Sequence, residues 1–297
     1  MSTILVTGAT GLLGLSLKPY LKNCGYNVIT HARSSLADFM FDLSDGAQTY
    51  KMLEKIQPSM IINLASLTSV EGCEDNTNLA YLINTRSVES LTHWILESGA
   101  KCHLIQISTD HVYDGDGVNP NTEDKVIISN NYAFSKYAGE LIANQVPSTI
   151  LRTNFVGRSQ LKNRESLTDW VYRSITSGIK VNVLNDVYFS PLSIKILCEM
   201  IEIVLQKKPL GTFNLGSHNG MSKANFDFAF AEALKLPTKT MKRIELSQAT
   251  FFKAKRPKDM LMDSSKFENS LNVKLPDLID IIAEVSKEYY EISHPNT

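Results

Sequence analysis

The sequence predicts an α/β protein built on a doubly wound parallel sheet, with a smaller, mostly helical C-terminal lobe. Continuous runs of Val, Ile and Leu, typical of strands covered on both faces, recur through the first half and alternate with helical segments. A glycine-rich turn directly follows the first run and opens a helix. Together these features are typical of a Rossmann-type sheet.

The predicted elements alternate along the first half of the chain. Strands are expected over residues 4–6, 27–30, 60–65, 103–108 and 148–152. Helices are expected over residues 12–24 and 78–97, the second ending at Gly99; Pro19 is expected to kink the first or to mark an irregular turn. Beyond residue 153 the pattern predicts helices over residues 165–177, 193–206, 222–235 and 276–291 and strands over 181–184 and 213–215.

Composition and charge exclude several classes of protein. The 297 residues, 43% hydrophobic and 21% charged, can bury a large core, and a net charge of −1 offers no surface for a nucleic acid. The sequence has neither a basic, apolar leader nor an apolar run of about 18 residues, so a cytoplasmic protein without a membrane span is expected. The four cysteines and six histidines are scattered, which predicts reduced thiols and no metal site.

Three glycines shape the turn after the first strand. Gly8, Gly11 and Gly14 give a G-x-x-G-x-x-G spacing at a junction between a strand and a helix. Glycine permits a tight turn and a close approach of backbone N–H groups to a pyrophosphate, which the positive end of the helix also attracts. The pattern predicts a dinucleotide site; a tight turn without a ligand is the alternative.

The end of the second strand indicates which dinucleotide is bound. Residues 31–35 contain no acidic side chain that could bind the ribose hydroxyls of NAD. Arg33 can bind the 2′-phosphate of NADP in a bidentate manner, and Ser34 can donate a hydrogen bond to it. NADP(H) is therefore preferred, with NAD(H) as an alternative because Asp38 is close in sequence. Asp42 is a candidate to contact the adenine amine, or a helix N-cap.

A tyrosine and a lysine four residues apart are the candidate catalytic pair. Tyr132 and Lys136 share one face of a helix, downstream of a strand that ends in residues 108–110. A free phenol has a pKa of about 10, and a nearby ammonium group is expected to lower it. The pair is therefore interpreted as a proton donor and acceptor beside a nucleotide cofactor, rather than as an exposed helix face. His111 is expected to line this site.

Six segments carry a resemblance to a known family. They are TGATGLLG at 7–14, NLAS at 63–66, STDHVYDG at 108–115, NYAFSKYAGE at 131–140, LRT at 151–153 and RPKDMLMD at 256–263. On these segments the chain resembles the extended short-chain dehydrogenase/reductase superfamily and, within it, the dTDP-4-dehydrorhamnose reductase group. The resemblance spans nearly the whole chain. The change of the strand and helix pattern after residue 153 predicts a dinucleotide-binding domain over residues 1–153. Residues 154–297 would form the substrate-binding lobe, and part of the chain near its end can return to the sheet.

The resemblance implies hydride transfer to the C4 ketone of a nucleotide-linked 4-keto-6-deoxy-hexose, as in deoxysugar and polysaccharide biosynthesis. Tyr132 would protonate the developing alkoxide, and Lys136 would lower the pKa of Tyr132 and hold the nicotinamide ribose. Thr109 would donate a hydrogen bond to the carbonyl oxygen, where fixed donors stabilise the transition state most. Ser108 or Asp110 would support this geometry.

The glycine turn, the second-strand end and the resemblance together give a set of expected contacts. The expected cofactor contacts are Gly8, Thr10, Gly11, Leu12, Leu13, Gly14, Arg33, Ser34, Asp42, Leu43, Leu64, Ala65, Ser66, Tyr132 and Lys136. The expected substrate contacts are Thr68, Val70, Ser108, Asp110, Phe155 and Arg256. Arg256 could clamp the substrate diphosphate, with a structural ion pair as the alternative.

Departures from the family pattern leave the sugar and the nucleotide open. Ala133 replaces a glycine, Phe155 replaces a tryptophan, and residues 185–191 differ from the usual substrate-lobe segment. A sugar-nucleotide epimerase on the same fold and a non-catalytic NADP-binding regulatory subunit are the alternative functions. The dehydratase pattern is broken because His111 follows Asp110 where a second acid is usual. A homodimer is common among relatives and is left open here.

Overall fold

The structure is a computed structural model and describes residues 3–33, 36–115, 117, 119–161 and 164–293. Residues 291–293 are described by their backbone alone. Its strands are β1 Thr3–Thr7, β2 Asn27–Ala32, β3 Phe39–Met40, β4 Met60–Asn63, β5 His103–Thr109, β6 Ser148–Thr153, β7 Phe155–Val156, β8 Val181–Leu184, β9 Tyr188–Phe189, β10 Leu192–Ser193, β11 Gly211–Leu215, β12 Met221–Ser222, β13 Met241–Ile244 and β14 Asp259–Met260.

Seven of these strands form the central sheet. Their order is β11-β6-β5-β4-β1-β2-β3, and every neighbouring pair is parallel. The strand order therefore changes direction at β1, between β4 and β2, which is where open α/β sheets bind ligands. The prediction of a doubly wound parallel sheet is confirmed. Three small sheets, made from the other strands, lie in the later part of the chain.

The helices cover both faces of the sheet and build the C-terminal lobe. They are α1 Leu12–Asn23, α2 Gly46–Ile56, α3 Val70–Asp75, α4 Thr77–Tyr81, α5 Ser87–Ser98, α6 Asn131–Ala143, α7 Leu167–Thr176, α8 Ile194–Lys207, α9 Lys223–Ala233, α10 Ser265–Leu271 and α11 Leu278–Ser293. Most predicted helices agree within about two residues. Pro19 lies inside α1. None of the helices in the described chain combines the length and apolar character needed to cross a bilayer.

The predicted helix over residues 78–97 is not a single α-helix. It consists of α4, a wide π-helical turn at Leu82–Arg86, and α5, which ends at Gly99 with φ of +63°. A π-helical turn inserts an extra residue into the helical repeat and re-aims one side chain. Asn84 lies in the middle of this turn and is only 2% exposed.

Asn84 explains why the turn widens. Its Oδ1 accepts hydrogen bonds from Ser66 Oγ at 3.0 Å and from the Leu67 N–H at 2.8 Å, and its Nδ2 donates to Ser135 Oγ at 2.9 Å. Helix α6 also crosses so closely that a Cβ at Gly139 would lie 2.6 Å from the Asn84 carbonyl oxygen. The turn therefore joins the loop after β4 to the helix that carries the candidate tyrosine.

Alternation along the strands divides the core between the two faces of the sheet. On β1, Ile4 and Val6 belong to the larger cluster, and Leu5 belongs to the smaller one. The larger cluster runs from α1 into α8, α9 and α11, so the later part of the chain packs on the sheet through continuous apolar contact. Strand β11, far beyond residue 153, completes the sheet beside β6. The division at residue 153 stays a prediction.

Candidate active site

One cavity of about 880 Å³ lies at the carboxyl end of the central sheet. It brings together almost all the predicted site residues. Those that line it are Gly8, Thr10, Gly11, Leu12, Leu13, Gly14, Arg33, Asp42, Leu43, Leu64, Ala65, Ser66, Thr68, Val70, Ser108, Thr109, Asp110, Tyr132, Lys136 and Phe155. Ser34 lies outside the described residues. Arg256 is not part of the lining.

The glycine turn forms a cradle at the start of α1. Gly8 has φ of +64°, and a Cβ there would lie 2.7 Å from the Ala65 nitrogen. Helix α1 has no side-chain cap at Gly11. In the described chain, the N–H groups of its first turn, residues 12–14, have no backbone acceptor. Free N–H groups at a positive helix end suit a pyrophosphate, so the turn fits a dinucleotide.

The Gly14→Ala substitution tests the close packing of this cradle. A Cβ at Gly14 would lie 2.7 Å from three atoms of Ala9, so either the turn or the helix must shift. We expect NADPH affinity to fall at least about tenfold, and the free energy of unfolding to fall by about 1–3 kcal/mol. The control is Gly46→Ala, also in a helix, where the nearest atom would be Ser90 Oγ at 3.8 Å. Equal NADPH affinities of the Gly14→Ala and Gly46→Ala variants would contradict this steric explanation.

The end of β2 supports the preference for NADP over NAD. Asp38 Oδ2 accepts hydrogen bonds from Thr30 N at 2.8 Å and Thr30 Oγ1 at 2.6 Å, and Asp38 does not line the cavity. Its carboxylate is therefore committed to β2 and is not placed for a ribose, whereas Arg33 is exposed at the cavity. Asp42 lines the cavity, and the N-cap of α2 is Asp45, so the N-cap interpretation of Asp42 is wrong.

His31 is a lining residue that the sequence analysis did not identify. It is the next-to-last residue of β2, and its Nε2 lies 3.1 Å from the Phe41 carbonyl oxygen. The two rings meet edge to face at 4.6 Å. Burial lowers the pKa of His31 to about 4, so the imidazole is neutral at physiological pH. A flat, neutral ring in the same cavity wall as the glycine turn and Asp42 suits the adenine end of a dinucleotide.

Tyr132 and Lys136 lie on α6, both buried against the end of β5. Lys136 Nζ donates to the Ile107 carbonyl oxygen at 2.6 Å, and burial lowers the pKa of this lysine to about 8. Tyr132 is only 8% exposed. Burial raises its pKa, and the neighbouring Thr109 hydroxyl opposes this only partly. The prediction that the phenol pKa lies below its ordinary value is therefore wrong in this structure, because desolvation outweighs the stabilisation of the phenolate.

Thr109 is held beside the phenol by the turn after β5. Its Oγ1 donates to Asp110 Oδ1 at 3.2 Å and accepts from the His111 N–H at 3.1 Å. Asp110 Oδ2 accepts from Asn154 Nδ2 at 2.7 Å, and burial raises the Asp110 pKa to about 6. His111 packs edge to face on Tyr132 at 5.4 Å and lines the cavity as expected. The turn thus holds the Thr109 hydroxyl beside the Tyr132 phenol of α6.

A buried ion pair supports the same region from behind. Arg152 on β6 and Glu140 on α6 pair through Nη2 and Oε2 at 2.6 Å, and their side chains are 4% and 1% exposed. Ser108 Oγ donates to the other oxygen of this carboxylate, and Arg152 Nη1 donates to Tyr113 OH at 2.8 Å. Glu140 and Arg152 lie in the NYAFSKYAGE and LRT segments, so the signal was present, but their structural role was missed.

The substrate end of the cavity differs from the prediction at Arg256. The Arg256 guanidinium forms an ion pair with Glu71 at 2.6 Å and packs over the Phe252 ring at 4.6 Å. This arrangement matches the structural alternative for Arg256. Arg164, which the sequence analysis did not identify, lines the cavity instead. Among the described residues, no group of three or more His, Cys, Asp or Glu side chains is arranged to hold a metal ion.

A family model described as the RmlD substrate binding domain matches residues 1–291. The chain belongs to this family. The match covers the sheet, the cavity and nearly all of the C-terminal lobe, so it confirms the resemblance that the sequence motifs indicated.

Two relatives of this RmlD-family chain have names that refer to polysaccharide biosynthesis or to a dTDP-sugar. The spore coat polysaccharide biosynthesis protein SpsK of Bacillus subtilis is 31% identical over 80% of this chain and 81% of its own. The dTDP-4-dehydrorhamnose reductase of Salmonella typhimurium is 29% identical over 92% of this chain and 93% of its own.

A solved structure of a similar protein shows the shared fold. The dTDP-4-dehydrorhamnose reductase of Bacillus anthracis, determined in complex with NADP, superposes with a TM-score of 0.87. The superposition covers 97% of this chain and 100% of the other, at 23% identity. The two chains therefore share the same fold.

Proposed function

We propose that this protein is an NADP(H)-dependent reductase of the C4 ketone of a nucleotide-linked 4-keto-6-deoxy-hexose. The observation that carries the proposal is the convergence of Thr109, Tyr132 and Lys136 on the cavity that also holds the glycine cradle. A proton donor and a dinucleotide cradle in one cavity suit a carbonyl reduction. The names of the RmlD-family relatives support the same substrate class.

The residues of the chain supply the proton and the donors for this reaction. When bound, NADPH supplies the hydride. Tyr132 is protonated at neutral pH, because an ordinary phenol has a pKa of about 10 and burial raises the pKa of this one, so it holds the proton that the product alkoxide needs. Thr109 lies beside the phenol, and its hydroxyl would donate to the same oxygen in place of its present acceptor, Asp110 Oδ1. Lys136, whose pKa is about 8, carries a positive charge at neutral pH, and its remaining donors would bind a ribose hydroxyl.

The Arg33→Ser substitution tests the cofactor preference. Arg33 is exposed at the cavity, where a guanidinium would bind the 2′-phosphate that only NADP carries. A charge-assisted hydrogen bond contributes about 1.5–3 kcal/mol, so we expect the ratio of kcat/KM for NADPH over NADH to fall about 10- to 100-fold. Steady-state kinetics with both cofactors measure this ratio. An unchanged ratio would assign the preference to other residues.

Three further properties remain predictions of this proposal. The first is the division into a dinucleotide-binding domain over residues 1–153 and a substrate lobe over 154–297. The second is a homodimer, which light scattering of the purified protein tests directly. The third is a cytoplasmic location, which fits a reductase that draws on the cellular pool of NADPH.

A turnover assay separates the proposal from its alternatives. The protein would receive enzymatically prepared dTDP-4-keto-6-deoxy sugar, with and without a 3,5-epimerase, and NADPH or NADH. A reductase oxidises NADPH only when the sugar nucleotide is present, and the epimerase requirement identifies the keto sugar. An epimerase would rearrange the sugar without net oxidation. A regulatory subunit would bind NADPH tightly and turn over neither compound.

A further inference from the structure

Arg164 places a positive charge on the wall of the active-site cavity. It lines the cavity together with Thr68 and Tyr132, and its Nη2 donates to Thr68 Oγ1 at 2.6 Å. Among the described residues, no carboxylate lies within ion-pair distance of this guanidinium. The adjacent acid, Glu165, is paired with Arg173 at 2.5 Å. Arginine has five donors, so most of those on Arg164 remain open to an anion.

The charge lies near the reacting end of the cavity. Arg164 lowers the pKa of Tyr132 electrostatically, although burial outweighs this effect. Its hydrogen-bond partner, Thr68, belongs to the loop after β4 that is predicted to face the sugar. Arg33, by contrast, follows β2, at the predicted adenine end. The two arginines therefore serve different parts of the cavity.

The other candidate for an anion contact is already neutralised. Arg256, which the sequence analysis assigned to the substrate diphosphate, is paired with Glu71 and is absent from the cavity wall. Lys136, the remaining cation of the lining, is directed to the Ile107 carbonyl oxygen. In the part of the chain that the structure describes, Arg164 is thus the cation best placed to meet a negatively charged substrate.

We propose that Arg164 binds a phosphate group of the nucleotide-linked sugar and thereby determines the selectivity of the cavity for sugars that carry a diphosphate. The inference rests on the proposed function, because a nucleotide sugar would bring its diphosphate to this wall. The planar guanidinium fork matches two phosphate oxygens at once, and Thr68 holds it in place from one side. The contact recognises the phosphate and not the base.

Binding of nucleoside diphosphates tests this role without requiring turnover. Calorimetric titrations would use dTDP and UDP with the NADPH-loaded wild type, Arg164→Gln and Arg164→Lys. We expect Arg164→Gln to lower the affinities for dTDP and UDP at least about tenfold, by a similar factor for each nucleotide. Arg164→Lys should lower both affinities less. The control is Arg158→Gln, an exposed arginine of the same loop that lines a separate cavity. The affinities of the Arg158→Gln variant for both nucleotides are expected to lie within about twofold of those of the wild type.

Several results would overturn the inference. Equal affinities of the wild type and Arg164→Gln for dTDP and UDP would do so, as would a wild type that binds neither. A parallel fall in NADPH affinity in Arg164→Gln would place the guanidinium on the cofactor instead. Failure of the proposed reductase function is distinguishable, because it shows as absent sugar-dependent NADPH oxidation by a wild type that still binds the nucleotides.

Discussion

Tyr132→Phe is expected to reduce kcat by about 10²- to 10⁴-fold, the usual contribution of a positioned general acid. The substitution removes only the phenolic hydroxyl, and the ring stays packed against His111 at 5.4 Å. The alkoxide formed by reduction then lacks its proton donor beside Thr109. NADPH affinity should change little, because the glycine cradle and Arg33 are untouched. Stopped-flow and steady-state measurements of NADPH oxidation give the rate, and fluorescence titration gives the affinity.

Tyr137→Phe is the matched control for this experiment. Tyr137 lies on the same helix, packs near the Arg152 guanidinium at 5.8 Å, and does not line the cavity. The same chemical change there should leave kcat within about threefold of the wild type. A Tyr132→Phe enzyme that retained wild-type kcat would rule out the phenol as proton donor.

Glu140→Ala is expected to cost about 3–5 kcal/mol of the free energy of unfolding. The substitution leaves the Arg152 guanidinium buried without its carboxylate and also removes the acceptor of Ser108 Oγ. Because this pair ties α6 to the ends of β5 and β6, kcat should fall as well. Urea unfolding followed by circular dichroism measures the stability change.

Glu89→Ala is the control for the buried pair. Glu89 pairs with Arg86 at 2.8 Å, but both side chains are more than two-fifths exposed. The same substitution at this solvated pair should cost less than about 1 kcal/mol. The double variant Glu140→Ala, Arg152→Ala should lose less stability than the sum of its single variants, because each single variant leaves a lone buried charge and the double variant leaves none. Additive losses would show that the pair does not act as a unit.

The sequence predicts the fold well because its signals are local. Apolar runs bounded by Gly and Pro define β1, β5 and β6 to within about a residue or two, and the glycine spacing requires the tight turn whatever the rest of the chain does. The sheet order follows from the βαβ alternation. The Y-x-x-x-K spacing places Tyr132 and Lys136 on one face of α6. These features need no knowledge of distant contacts.

The parts that the sequence did not predict depend on such contacts. The π-helical turn around Asn84 arises from hydrogen bonds to Ser66 and Ser135, which are far away in the chain. The raised pKa of Tyr132 comes from burial, which only the packed cavity defines. Arg256 was a candidate for the substrate diphosphate because Glu71, which neutralises it, lies 185 positions away in the sequence.

Helix α2 was missed for a different reason. Its signal was local, because Asp45 accepts a hydrogen bond from the Gln48 N–H as an N-cap and the apolar positions Met52 and Leu53 lie on one face. The polar composition around these positions hid the pattern. A search for N-cap residues between β3 and β4 would have identified it.

In the proposed reaction, hydride passes from NADPH to C4 of a nucleotide-linked sugar, with Tyr132 as the proton donor. The most direct test incubates the protein with NADPH that carries deuterium at both positions of nicotinamide C4 and with the 4-keto-6-deoxy sugar nucleotide. Mass spectrometry and NMR of the product then locate the label. We expect one deuterium at C4 of the hexose for each NADPH oxidised. A product without deuterium, or a rearranged sugar with NADPH unconsumed, would contradict the proposed reaction.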